Sequence, residues 1–383
     1  MSYRNKVIAA ALLSLSTLAP AGFATAADLP VKVKAKPVPD LPFFLVVDDR
    51  VTFSYIFTGT DPGVFSVKPG GASFNGNTAK SVYSFTHFDV WAYGTNFFTI
   101  STFKSDHNDP ASPCTNAGGF NSNVPGGGGF GSAFNPAGCA GATEIYGLLR
   151  STYGWNEIFG TKAFSMGPLH NISFEIGADA NSENNYLAPA KRDFVGGLQF
   201  AFDLPYKGYI NVAPMAYKEI NHNAFNQCGT AFAGAIPGVT CSADGNTTFH
   251  TTWAVEINYY MDLNFLPPDM QYFAVSGRAG FYGPKGDANG LPANSGVGVF
   301  STATKTEINS EPIRLTFDVA KAIWGPKYAQ FVTTWVAYRY WQNKFGLDHN
   351  AEFGVCNATL NGVIQSTHSC TEQSAYAGVT VKF

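Results

Sequence analysis

The sequence has no long hydrophobic run, little charge and no closely spaced cysteines, and each absence removes a class of protein. The apolar run Val7 to about Leu18 is only about a dozen residues, short of the roughly twenty that a spanning helix needs. No later stretch approaches even that length without a charge, a glycine or a proline, so any crossing of a membrane must use strands. Charged residues make up 13% of the 383, whereas aromatics reach 15% and glycines number 40, a balance unusual for a soluble domain. No Cys-x-x-Cys pair offers the usual zinc spacing, and neither metal nor cofactor is expected. What remains, many rings and glycines with few helix formers, points to an all-β protein.

The N-terminus places Arg4 and Lys6 before the apolar run and Ala24-Thr25-Ala26-Ala27 after it, the order of a secretory signal cleaved after Ala26 or Ala27. Removing Arg4 and Lys6 leaves 22 basic residues against 27 acidic ones, a formal charge of −5 that gives no reason to expect nucleic acid as a partner. Residues 28–48 begin with a leader that contains Pro30, Pro37 and Pro39 together with Lys32, Lys34 and Lys36. It reads as a periplasmic tether or a partial plug, with the barrel over 49–383. The cysteines fall as three separated pairs, Cys114 with Cys139, Cys228 with Cys241, and Cys356 with Cys370, each inside one turn-rich segment. Local pairing is the simplest of the fifteen connectivities, and behind a secretory signal these should be disulfides stapling three loops.

From Arg50 onward a period of two dominates and twelve strands can be counted. The first, about 50–58, sets Val51, Phe53, Tyr55 and Phe57 against Arg50, Thr52 and Ser54. In the eighth, near 250–260, Trp253, Val255, Ile257 and Tyr259 oppose Glu256, Asn258 and Tyr260. The eleventh sets Val336, Tyr338 and Tyr340 against Trp335, Arg339 and Trp341, and the chain closes on Ala377, Val379, Val381 and Phe383 sharing one face. Connections alternate between brief turns and long segments, and every cysteine lies in a long one. Backbone groups in hydrocarbon must all be paired, so these strands imply a transmembrane antiparallel β-barrel of twelve strands, with the long disulfide-stapled loops extracellular. A disulfide-linked β-sandwich would need its apolar face inside, whereas here the apolar rows belong outside.

The organising stretch is the hairpin Ser81 to Lys104, whose first arm carries Tyr83, Phe85, His87, Asp89 and Trp91 on one face and Val82, Ser84, Thr86, Phe88 and Val90 on the other. The titratable row is assigned to the lumen. With it go Glu256, Tyr260, Arg278, Arg314, Asp318, Arg339 and Trp341 as substrate-path candidates, because rings beside hydrogen-bonding groups suit a neutral, flat, polar solute. The adjacent rings Phe97 and Phe98 must point to opposite sides, and the pattern does not say which is which.

The run from His87 to Phe98, with Val336-Ala337-Tyr338-Arg339-Tyr340-Trp341 and the terminal Val379-Thr380-Val381-Lys382-Phe383, resembles the nucleoside-specific, Tsx-like family of outer-membrane channels. The leader Asp28-Leu29-Pro30-Val31-Lys32 is similar to the mature N-termini of rhizobial outer-membrane proteins. The resemblance implies a monomeric, cofactor-free channel in a Gram-negative outer membrane that passes nucleosides through a narrow lumen. Its surroundings would be the lipid bilayer, and the terminal Phe383 resembles the signal read by the outer-membrane assembly machinery. The greater length and the cysteine-bearing loops depart from the family pattern. A general small-solute porin and a loop-presenting structural or adhesin barrel are the alternatives. An outer-membrane lipid hydrolase is the remote one, since its candidate pair Ser84 and His87 would face opposite sides.

Overall fold

The computed structural model describes residues 43–68, 70–105, 141–184, 190–222, 246–286, 303–351 and 355–383. Twelve long strands form one antiparallel ring: β1 (Phe44–Thr60), β2 (Asn77–Trp91), β3 (Gly94–Ser105), β4 (Thr143–Gly154), β5 (Leu169–Glu183), β6 (Ala190–Leu204), β7 (Gly208–His222), β8 (Thr252–Asp262), β9 (Phe273–Tyr282), β10 (Glu307–Asp318), β11 (Val332–Gln342) and β12 (Glu372–Lys382). Each pairs with its neighbours in sequence, and β12 returns to β1 through Arg50–Lys382 to Ile56–Tyr376, so the sheet has no free edge. β1 begins at Phe44, so residues 44–48, assigned from sequence to the tether, pair with β2 instead. The signal peptide, the Pro-Lys leader and Cys114, Cys139, Cys228 and Cys241 lie outside the described residues.

Both chain directions meet at one rim, where Phe383 donates its N–H to Asp49, and this rim also carries the five short connections. Every one of them presents an exposed ring: Tyr93, Phe159, Tyr206, Phe265 and Trp324. Above this girdle the outward rows are mostly apolar, with Val51, Phe53, Leu149, Ile176, Ile313, Val336 and Val379 all exposed. An exposed aliphatic wall between aromatic rims is what a bilayer requires and what water would penalise.

At the opposite rim the long loops are knitted together. The His250 N–H donates to Lys285, Lys285 to Ala303, Lys305 to Gly346 and Lys344 to Cys370, all between 2.9 and 3.2 Å. A disulfide joins Cys356 to Cys370 beneath them, as their spacing led us to expect. Beside it Phe65 and Phe74 of the β1–β2 connection pack on Ala358 and Leu360, so the loops carry a small core of their own.

Candidate functional site

Direct antiparallel partners lie on the same side of a sheet, so the ladder assigns every side chain to lumen or lipid. Ser54 opposite Val82, Thr52 opposite Ser84 and Arg50 opposite Thr86 are inward, and hydroxyl pairs line this wall: Thr52 with Thr380 at 2.9 Å, Ser84 with Ser101 at 2.7 Å and Thr86 with Thr99 at 3.2 Å. Carried round the ring, the same rule turns Glu256, Tyr260, Arg278, Arg314, Arg339 and Trp341 inward, as the alternation indicated.

The hairpin row requires a correction. Phe53, an exposed outward ring of β1, stands opposite Tyr83, and the two rings lie 5.3 Å apart. Tyr83 therefore faces lipid, and with it Phe85, His87, Asp89 and Trp91. The physical reason is that both rows of β2 mix rings with polar groups, so its alternation has no polarity of its own, and only pairing with β1 supplies one. Phe97 stands opposite the inward Arg150, which puts Phe97 in the lumen and Phe98 outside. The Ser84–His87 pair is split between the two faces.

Mid-barrel, Arg150 of β4 reaches across the lumen. Its Nε and Nη2 donate to the two oxygens of Glu256 on β8 at 2.9 and 2.7 Å, and Nη1 donates to Asp179 on β5 at 2.5 Å. The Tyr282 hydroxyl donates to Glu256 at 2.9 Å, the Tyr146 hydroxyl to Asp179 at 3.0 Å, and the Gln199 amide to Glu175 at 2.9 Å. Bidentate arginine–carboxylate pairing fixes orientation as well as adding energy, so this bridge sets a crossbar in the lumen.

Toward the turns the lumen is wetter. Arg278 and Tyr209 point inward and are nevertheless exposed, which requires solvent inside the barrel. The Tyr209 and Tyr260 rings stack at 6.2 Å, 21° from parallel, opposite Arg50, which is itself tied to Asp48 at 2.7 Å. Arg314 lies 3.9 Å over the Trp335 ring and bonds Glu311 at 2.5 Å. Asp318 also points inward, opposite Thr333 at the rim, where it accepts from the backbone N–H groups of Lys321 and Gln330, so it caps the short helix Val319–Trp324 and fixes the last turn.

Toward the loops the lumen is packed. Lys285 bonds Glu219, which also accepts from Tyr217, and Lys191 lies 3.3 Å from Asp193. Trp341 donates to Glu307 at 2.8 Å, while Arg339 and Lys344 converge on Glu372 at 3.1 and 2.6 Å. Glu219, Lys285, Glu307, Glu372 and Lys344 are all buried. Alternation could have found Tyr282, which shares the inward row of Arg278 on β9. Lys285 and Lys344 leave no periodic signal because they sit in connections.

No family model matches the sequence, and no curated protein does. Among solved structures the chain is similar to the COG4313 outer membrane channel from Pseudomonas putida F1, at 8% identity over 92% of this chain and 100% of that one, with a TM-score of 0.41. It is also similar to the translocator domain of the autotransporter NalP from Neisseria meningitidis, at 10% identity over 88% and 89% with a TM-score of 0.38. A third similarity is to LpxR from Salmonella typhimurium, at 7% identity over 87% and 100% with a TM-score of 0.35. Likeness at this level says nothing of cargo.

Proposed function

We propose that the protein is a passive outer-membrane channel for nucleosides or similar small polar solutes. The observation that carries this reading is the crossbar of Arg150 with Glu256 and Asp179, set above a wet vestibule walled by hydroxyls and the stacked Tyr209 and Tyr260. A crossbar limits solute size; rings offer faces for a flat heterocycle; hydroxyls and the half-open Arg50 replace water around a ribose without holding it tightly. In this reading the selective wall moves from the opening hairpin to β7, β8 and β1. A lipid hydrolase gains nothing from Ser84 and His87, which lie on opposite faces.

The packed loop end favours one second reading, a barrel whose mouth is closed at rest and which serves mainly to display its stapled loops. Planar-bilayer conductance with added adenosine or thymidine separates the two. A conducting pore blocked by nucleoside but not by a hexose of similar size is the expected result. Conductance without block reduces the protein to a general pore, and no conductance leaves the closed barrel.

A further inference from the structure

The residues displaced from the lumen form a polar stripe on the lipid-facing wall that the channel reading does not use. Along it the Ser151 hydroxyl donates to Asn96 Oδ1 at 2.7 Å and the Asn96 amide donates to Asp89 Oδ1 at 2.9 Å. His87 Nε2 lies 3.1 Å from Asp89 Oδ2, and His87 Nδ1 lies 2.7 Å from Asp49 Oδ1. The stripe crosses β1 to β4 on the row that also carries Val51, Phe85, Phe98 and Leu149.

Among the described residues, the other charged side chains on the outward strand rows, Lys104, Arg192 and Lys218, sit near the loops. Asp49, His87 and Asp89 sit near the turns instead, just above a girdle in which Trp91 touches Phe43, Tyr93 and Tyr153. Asp89 is two residues from the end of its strand and His87 four, or about 7 and 13 Å along it. Strand tilt makes the depth smaller, so the stripe lies at the level of headgroup and ester rather than of acyl chains.

Charge placed on a lipid-facing wall is costly and persists where it is used. An acidic group stands on each ring nitrogen of His87, so the stripe sets two acidic side chains against one basic one. Asp89 is spent: both of its oxygens are bonded and it is buried. Asp49 is not, since among the described residues only its Oδ1 is engaged, and its side chain is about a quarter exposed.

We propose that this stripe is a docking site for the primary ammonium of a zwitterionic phospholipid headgroup in the periplasmic leaflet, with Asp49 as its contact. An ammonium brings N–H donors to the unengaged carboxylate oxygen. A trimethylated headgroup has no such donors, and an anionic one meets two carboxylates. A second copy of the chain is disfavoured by symmetry, because a two-fold contact through this row would set each copy's carboxylates against the other's.

The test is native mass spectrometry of the full-length barrel released from micelles holding equal amounts of phosphatidylethanolamine, its N-methyl and N,N-dimethyl derivatives, phosphatidylcholine and phosphatidylglycerol. Retention is expected to fall stepwise as N–H groups are lost, the ethanolamine lipid exceeding choline and glycerol lipids by about threefold, the scale of one interfacial ion pair. Asp49→Asn should erase that order while the barrel keeps its heat-modifiable mobility. The methylation series needs no variant, so the proposal stays testable if Asp49→Asn does not fold. Equal retention of the lipids by the unaltered protein, or an unchanged order in Asp49→Asn, overturns it. So does a dimer that Asp49→Asn dissociates without any lipid preference.

Discussion

The two ends of the lumen use charge in opposite ways. At the loop end Lys285, Glu219, Glu307, Lys344 and Glu372 are packed to near-complete burial, and each is tied to at least one opposite charge or ring donor. At the turn end Arg278 stands in water, and Arg50, though bonded to Asp48, stays half open. Burial raises the penalty for leaving any one member of a network unpaired, whereas a hydrated charge loses little when its partner goes. The first region is therefore a structural closure and the second a working surface, although both consist of inward charged residues that alternation alone cannot distinguish.

The comparison breaks most sharply at the buried pair. Removing one partner of a buried ion pair costs about 3–5 kcal/mol, because the other is left uncompensated. Lys285→Met should therefore destabilise the loop end in urea unfolding from lipid vesicles, toward the lower part of that range because Lys191 still lies 3.7 Å from Glu219. It should also raise conductance by loosening the mouth. The double variant Lys285→Met, Glu219→Leu, which removes both charges, should recover much of the stability. If the single variant is as stable as the unaltered protein, the loop-end network is not the closure described here.

The disulfide probes the same end with a smaller and more local effect. Its cysteines are 14 residues apart, and closing a loop of that size is worth about 3 kcal/mol in the unfolded-chain account. Replacing Cys356 and Cys370 by alanine should expose residues 343–371 to proteolysis, while the strands, whose hydrogen bonds close the ring without it, keep their resistance to heat. A barrel that unfolds with its loop would show that the two are one cooperative unit.

At the turn end the expectation is reversed. Arg278→Ala should leave stability within about 0.5 kcal/mol, as for an exposed side chain that makes no hydrogen bond or ion pair among the described residues. It should nonetheless move the reversal potential in a salt gradient toward cation preference, because a positive group is removed from a narrow aqueous path. A change in stability with no change in selectivity would assign Arg278 to the structural class instead.

Most of the fold was legible because the bilayer imposes a simple rule: one row apolar, pairing complete, turns at one end. β1, β8 and β12 obey it plainly, and their outward rows in the structure are those read from sequence. β2 resisted because Val82, Ser84, Thr86, Phe88 and Val90 are hardly more apolar than Tyr83, Phe85, His87, Asp89 and Trp91. A preference for placing titratable groups inside decided the row wrongly, and a lipid-facing hydrogen-bonded stripe is the one arrangement that such a preference cannot anticipate. The candidate path was half legible. Glu256, Tyr260 and Arg278 follow from period two, whereas what separates path from packing, the approach of Lys285 and Lys344 from the loops, is set by long-range contact.

The smallest expected effect tests whether the loop end is held by its buried charges alone. Lys305 and Asp348 tie two loops together at 3.1 Å on the exposed side of that end. Partial burial opposes ionisation of Asp348, but the backbone N–H of Asn350 and the ammonium of Lys305 outweigh it, and its carboxyl sits below the ordinary aspartate value of 3.8. A carboxyl with a lowered folded value contributes stability above the unfolded value and loses it as pH falls through the lower, folded one. The pair should thus add a constant few tenths of a kcal/mol, as exposed pairs do, through the neutral range, and lose it only below about pH 3.8. Hydrogen exchange at the Lys305 amide, which donates to Gly346 at 3.0 Å, reports the tie directly. After correction for intrinsic rates, protection should drop below that pH in the unaltered protein and be lower but flat in Asp348→Asn. The same acid drop in both proteins would transfer the pH sensitivity to the buried carboxylates beneath, and with it all of the loop end's cohesion.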